Sequence, residues 1–358
     1  MSTASTPRDP AADLRQIAYL LERASEPTYR VRAFRNAAAV VSELPAAELA
    51  ERAANGTLAK LKGIGDVTAR CIAESLAGEE PVYLRRQLST EGKVIDEETA
   101  AIRGALLGDC HTHSDWSDGG SPIEEMAETG RSLGHKYMVL TDHSPRLTVA
   151  NGLSAERLER QLDVVAELNE RFAREAANGS AEPFRILTGI EVDINEDGTL
   201  DQKPSLLARL DVVVASVHSK LRAPSKEMTP RMIAAISNPH TDILGHCTGR
   251  LVTGGRGTRP ESEFDAELVF AACQQFGVAV EINSRVERLD PPKRLLRLAV
   301  ESGCLFSIDT DAHAPGQLDW QVNGAERAVR CGVDPTTIVN TWAEKDLLAW
   351  TADHGVRP

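Results

Sequence analysis

Aromatic residues are scarce, at 4% of the 358-residue chain, and no apolar run approaches the roughly 18 residues a membrane helix needs. No membrane span is therefore expected. Six cysteines (71, 110, 247, 273, 304 and 331) form no CxxC pair and no dense framework, which fits reduced thiols rather than disulfides. The opening MSTASTPRDP has no basic stretch followed by an apolar one, so no secretory signal is expected. These absences point to a soluble, cytoplasmic protein. Basic charge is also short: 40 Lys and Arg stand against 53 Asp and Glu, a net charge of −13. That excludes a protein that coats nucleic acid through bulk positive charge. The deficit is uneven, since residues 1–90 hold 12 basic against 11 acidic residues, leaving −14 for the rest. A polyanion-binding element is thus expected at the N-terminus, or else a site that uses metal ions.

The length suggests two domains, or one large domain with an appendage. Residues 11–90 read as helical, because Leu14, Ile17, Leu20 and Leu21 recur at helical spacing. A helix over 67–76 is expected after the turn Lys62-Gly63-Ile64-Gly65-Asp66. Residues 79–105 read as polar connecting chain with one short helix, the linker proper being 91–105. From Leu106 onward seven short β-type runs appear, at 106–110, 137–141, 185–190, 212–217, 242–245, 278–282 and 304–308. Amphipathic stretches such as 154–177 and 263–276 separate them, so an α/β domain over 106–358 is expected, with seven parallel strands closing toward a barrel.

Histidines and carboxylates gather at the ends of these runs. The first leads into Asp109-Cys110-His111-Thr112-His113 and then Asp118, and the second into Asp142-His143. Glu191, His218 and His246 close the next three, and the last gives Asp309-Thr310-Asp311-Ala312-His313. The C-terminal ends of parallel barrel strands share one face, where active sites lie. His111 and His113, at i and i+2, point to one side of a strand, as two imidazoles on one ion require. His135, His240 and His354 stand apart and read as structural or solvated. Imidazole mixed with carboxylate suits Zn, Mn or Fe.

The stretches DCHTHSDWSDG, VLTDHS, TGIEVDI, DVVVASVHS, DILGHCTGRL, VAVEINS and FSIDTDAH resemble the PHP (polymerase and histidinol phosphatase) domain, most of all the one that ends bacterial family X DNA polymerases. The resemblance covers about 240 residues and implies a distorted seven-stranded β/α barrel with three divalent metal ions. It implies one ion held by His111, His113, Glu191 and Asp311, and a second by Asp118, His143 and His313. A third would fall to Glu191, His218 and His246, with Glu191 bridging. Asp109 and Asp142 are expected to orient imidazoles from behind. Arg250, Arg285, Arg288 and Lys220 neighbour the motif residues and are candidates to clamp a phosphate.

Competing chemistries do not fit. His246-Cys247 resembles a cysteine-phosphatase start, but Thr253 stands where that class needs arginine, so Cys247 reads as a packed small residue. No GxSxG elbow occurs, and Gly254-Gly255-Arg256-Gly257 is no P-loop but reads as a mobile loop. An amidohydrolase barrel also opens with HxH, yet would not account for Asp142-His143 or the closing Asp-x-His.

Leu61-Lys62-Gly63-Ile64-Gly65 before a helix resembles a helix-hairpin-helix, whose Gly63 and Gly65 would let backbone N–H groups meet a DNA phosphate without reading bases. Arg32 and Arg35 fall on one helix face that could meet a DNA backbone. Residues 11–90 resemble the N-terminal lyase-type domain of family X polymerases. Cys71 aligns with that domain's Schiff-base lysine and Val67 with a neighbouring basic position, so no lyase activity is expected. The stretch 90–108 is too short for a polymerase palm. The expectation is a metal-dependent phosphoesterase of DNA ends, a 3′–5′ exonuclease or 3′-phosphatase in repair. The alternatives are a small-molecule phosphatase of the histidinol-phosphate kind and a non-catalytic repair scaffold.

Overall fold

The computed structural model describes residues 8–89, 95–255 and 257–353; Met1–Pro7, Arg256 and His354, named above, lie outside them. The chain divides into two compact units, 1–94 and 95–358.

The first unit holds helices α1 (Pro10–Arg23), α2 (Thr28–Glu43), α3 (Ala46–Ala54), α4 (Asp66–Leu76) and α5 (Val82–Ser89). Helix α1 starts where a start is encoded: the Asp9 side chain accepts the Ala11 N–H and Pro10 supplies a preset φ. Its apolar stripe, Leu14, Ile17 and Leu21, is fully buried against Phe34, Ile72 and Leu84. Asp13 is also buried, bound by both ends of the Arg8 guanidinium and by the Ser75 hydroxyl at 2.7 Å. Between a short 3₁₀ turn and α4 the chain reverses at Gly63, whose φ of +92° falls in the left-handed region. Ile64 plugs into the core, and the Thr68 hydroxyl bonds both the N–H and the carbonyl of Gly65.

The second unit opens with α6 (Glu97–Ala105), then alternates seven strands with helices. The strands are β1 (Gly108–Thr112), β2 (Tyr137–Leu140), β3 (Arg185–Asp193), β4 (Val212–Ser216), β5 (Ile243–Leu244), β6 (Ala279–Asn283) and β7 (Phe306–Asp309). Around them run α7 (Ile123–Ser132), α8 (Ala155–Ala177), α9 (Pro204–Leu207), α10 (Ser225–Ile236), α11 (Ala266–Phe276), α12 (Lys293–Glu301), α13 (Gln321–Cys331) and α14 (Glu344–Ala352). All strand pairs are parallel, in the order β1 to β7. Thr112 bridges Ala312, and His113 N–H bonds the Ala312 carbonyl at 2.8 Å, so the barrel nearly closes. Strands buried on both faces are what Val- and Ile-rich runs such as Val212–Ser216 specify.

The chain read as a connector with one short helix contains two, α5 and α6, and α6 packs on α13 in the second unit. Strand β3 runs on to Asp193, past its apolar stretch, because polar groups near its end are bonded inside the barrel; β5 keeps only two paired residues. The base of the Gly254–Gly257 loop is pinned by Leu251 pairing antiparallel with Arg259. All six cysteines are buried and unpaired. Among the described residues, no helix is long and apolar enough to cross a membrane.

Candidate metal centre

The ligand candidates enter from six strand ends around one axis. His111 and His113 follow from β1, where the pairing with β2 slips between Asp109 and Thr112, and Asp118 sits on the next loop. His143 follows β2, and Glu191 lies inside β3. His218 and His246 follow β4 and β5, and Asp311 and His313 follow β7, Asp311 with φ +51°.

Glu191 stands at the centre. Its Oε2 lies 3.4 Å from His111 Nε2, 3.6 Å from His113 Nε2 and 2.8 Å from His143 Nδ1. Its Oε1 lies 3.3 Å from His218 Nε2 and 2.9 Å from His246 Nε2. His113 Nε2 is 3.5 Å from Asp311 Oδ1, and Asp118 Oδ1 is 3.5 Å from His143 and 3.3 Å from His313. Donors around one tetrahedral ion at about 2.1 Å stand roughly 3.4 Å apart, so these spacings suit metal ligation. Three groups have donor atoms mutually within 4.8 Å: His111, His113 and Asp311; His113, Asp118, His143 and His313; His143, Glu191 and His218. All nine expected ligands therefore converge. The grouping shares His113 and His143 between sets, and His246 meets its set through Glu191 alone.

The residues also fit ions by what they lack. Buried ring nitrogens of His111, His113, His143, His218 and His246, and Glu191 Oε2, have no hydrogen-bond partner of sound geometry. Such a concentration of orphaned acceptors inside one cavity is costly unless cations fill it. Burial raises the Glu191 carboxyl, but His218, His111 and His143 outweigh it and hold the group well below the usual range. Asp311 is held low in the same way, burial being overcome by Arg285, Arg288 and His113. Burial, then the adjoining His313 and His143, lowers His113 to about 3, leaving it a neutral donor. His218 rises to about 9 against burial, because Glu191 and Asp193 face it.

The centre opens on one side. Glu191 and His113 side chains are completely buried, whereas Asp118 is 37% and His313 22% exposed. Solvent reaches the ligand candidates from that side.

Several sequence expectations need correction. Asp109 is fully buried, but its oxygens accept the backbone N–H groups of His111 and Thr310 and the Thr310 hydroxyl; it ties β1 to β7 and meets no imidazole. Asp142 likewise accepts from the Ser114 backbone, the Ser114 and Ser117 hydroxyls and Gln161, so it shapes the loop that carries Asp118. Arg250 is committed to the carbonyls of Arg288 and Leu289 and to Glu261 at 3.2 Å, which leaves it no free fork for phosphate. Lys220 is exposed, with a left-handed φ of +53°. Arg285 and Arg288 do reach the centre: Arg285 Nη1 donates to the Asp311 carbonyl at 2.7 Å, and Arg288 Nε to Asp311 Oδ2 at 3.1 Å. In the first unit Arg35 is bound by both oxygens of Glu22, so it does not share an open face with exposed Arg32.

Cys247 packs as expected, with burial and then Asp290 pushing its thiol well up. His135 is buried away from the centre, and His240 lies on the turn before β5, at the opposite end of the barrel.

Two carboxylates were missed. Glu281 Oε1 lies 2.6 Å from His111 Nδ1, and its Oε2 accepts the His246 N–H. Asp193 Oδ1 accepts the His218 N–H at 3.0 Å and sits 3.5 Å from its Nδ1. Only the two-residue phase from Glu191 could have exposed Asp193, and Glu281 lay within a run that reads as core.

With this geometry in hand, comparison with known proteins decides the family. Residues 109–285 match the PHP domain, and residues 6–81 match a helix-hairpin-helix domain. The barrel is a PHP domain. The DNA polymerase/3′-5′ exonuclease PolX of Bacillus subtilis (strain 168) is 39% identical to this chain over 247 residues. That alignment takes in 69% of the chain but only 41% of the relative's length. A probable phosphatase of Thermoanaerobacter sp. (strain X514) is 29% identical over 251 residues, 66% of the chain and 91% of the relative. Histidinol phosphate phosphatase from Lactococcus lactis subsp. lactis, solved with Zn, L-histidinol and phosphate, aligns with a TM-score of 0.46 at 15% identity, over 64% of this chain and 95% of that one. The PHP-domain match and the probable-phosphatase relative point to metal-dependent phosphoester chemistry.

Proposed function

We propose that the protein hydrolyses phosphoester bonds at DNA ends, as a 3′–5′ exonuclease or a 3′-phosphatase. One observation carries this reading: a cluster of nine candidate ligands shares its chain with a helix-hairpin-helix match, which a small-molecule phosphatase does not need. The PolX relative, named as a polymerase and 3′-5′ exonuclease, supports it.

His111, His113, Asp311 and Glu191 would hold one divalent ion, Asp118, His143 and His313 a second, and Glu191, His218 and His246 a third; Zn, Mn or Fe suits these donors. Such ions, when bound, polarise a phosphate, acidify a water and offset charge on the leaving oxygen. The chain's own groups prepare the ligands. The Asp311 carbonyl accepts from Arg285 and from His313 Nδ1 at 2.8 Å, which turns His313 Nε2 toward Asp118. Arg285 also lies over the Trp320 ring at 5.5 Å, and it and Arg288 add positive charge beside the open ligands. At the other domain, Gly63 and Gly65 open the backbone where a DNA phosphate would be met without base reading.

Incubation of the metal-loaded protein with 5′-labelled DNA tests this. Stepwise shortening or 3′-phosphate release is expected with Mn²⁺ or Zn²⁺ and absent in His111→Ala. Intact DNA beside turnover of histidinol phosphate would favour the small-molecule reading instead, which the probable-phosphatase relative makes the second choice. A protein with no bound metal would leave only a scaffold.

A further inference from the structure

Six of the seven strands deliver ligand candidates; among the described residues, β6 delivers none. It nevertheless projects two fully buried polar side chains, Glu281 and Asn283, two residues apart and so on one side of the strand. A carboxylate with no ionic or catalytic use, buried at 0% exposure inside a barrel, is costly.

Three of their four side-chain polar atoms meet a ligand from another strand, and the fourth, Asn283 Oδ1, accepts the Arg285 N–H. Glu281 Oε1 meets His111 Nδ1 at 2.6 Å, and Oε2 accepts the backbone N–H of His246. Asn283 donates through Nδ2 toward Glu281 Oε2 and Asp311 Oδ2, at 3.3 Å each. Arg288 completes the hold on Asp311 from the loop that follows. Ligands from β1, β5 and β7 are thus tied to one strand that gives none itself.

We propose that β6 is a positioning strand, and that Glu281 couples the ion bound through His111 to the ion bound through His246. The hydrogen bond to Nδ1 keeps the proton there, so His111 presents a bare Nε2 inward, toward Glu191. The second oxygen sets where the His246 backbone, and hence its ring, stands. One carboxylate thereby governs two ion positions, while the Asp118, His143 and His313 group makes no contact with it. The inference rests on the reading that the cluster holds divalent ions.

The test is metal binding by the full chain, stripped and titrated with Zn²⁺ or Mn²⁺ against a chromogenic chelator, for the wild type and Glu281→Gln. The variant is nearly isosteric but cannot hold the Nδ1 proton as a carboxylate does. Affinity should fall about 10–100-fold for two classes of ion together, while the remaining class keeps its wild-type affinity. Unchanged affinities, or equal weakening of every class, would overturn the proposal. A wild type that binds no ion defeats the underlying reading instead. Should Glu281→Gln fail to fold, ¹⁵N imidazole spectra of the Zn-loaded wild type decide: His111 protonated at Nδ1 is expected, and a proton on Nε2 contradicts it.

Discussion

Glu191 meets five imidazoles with two oxygens, Oε2 serving three and Oε1 two. Gln at this position keeps the shape but removes the charge those rings share. Glu191→Gln should therefore lower phosphoesterase kcat by more than the roughly 100-fold that marks loss of an outer-shell partner, with metal content falling in parallel. Elemental analysis and a rate measurement check both; near-normal activity with full metal would refute the bridging role. His135 makes a separate prediction about acid. Burial, then the nearby Arg103, lowers it to about 3, against about 6.5 in an unfolded chain. Below pH 6.5 the denatured state takes a proton that the native state refuses. Its contribution is therefore complete above pH 6.5 and is lost as pH falls toward 3, at up to about 1.4 kcal/mol per pH unit. His135→Gln should flatten that decline in denaturation midpoints, and an unaltered pH dependence would contradict it.

At the level of elements, the turn before α4 depends on one glycine. Gly63 has φ +92°, and a Cβ there would stand 3.2 Å from Val40 Cγ2. Gly63→Val should cost about 1–3 kcal/mol, lower the melting temperature of the first unit by several degrees and weaken DNA binding. Circular dichroism melting and anisotropy with a labelled duplex read these out. The elements also explain what the sequence could disclose. Nine ligand candidates were legible because histidines and carboxylates recur at the ends of apolar runs, where a parallel barrel gathers them. Glu281 was hidden because it sits within the run 278–282, with no histidine beside it to mark it. Adjacency misled in the other direction. Arg250 neighbours a motif, yet its guanidinium turns to carbonyls of Arg288 and Leu289, 38 and 39 positions on. Arg35 looked available on its helix, but its partner Glu22 lies on α1, out of reach of any single-helix reading. Asp109 and Asp142 were marked by place and missed by direction, since bonding to backbone and hydroxyl groups depends on tertiary register.

For the molecule as a whole, a charge of −13 concentrated outside residues 1–90 would limit how DNA could be held. Residues 1–90, with 12 basic and 11 acidic residues, offer few phosphate neutralisations. Binding should then fall gently with salt, with a log–log slope of about −1 to −3 rather than the near −10 of a heavily basic reader. Anisotropy titrations between 50 and 200 mM salt measure it, and a slope beyond about −6 would show a basic surface that the composition does not supply. The barrel's carboxylates carry a different meaning: Asp118, Glu191 and Asp311 lie in groups that could hold metal ions, and bound cations would reverse the local sign. The most direct measurement is kcat/KM of the metal-loaded full chain for a 3′-phosphorylated DNA end against histidinol phosphate. The account predicts at least about 100-fold preference for the DNA end, through binding remote from the reacting phosphate. Equal turnover, or preference for histidinol phosphate, would contradict it.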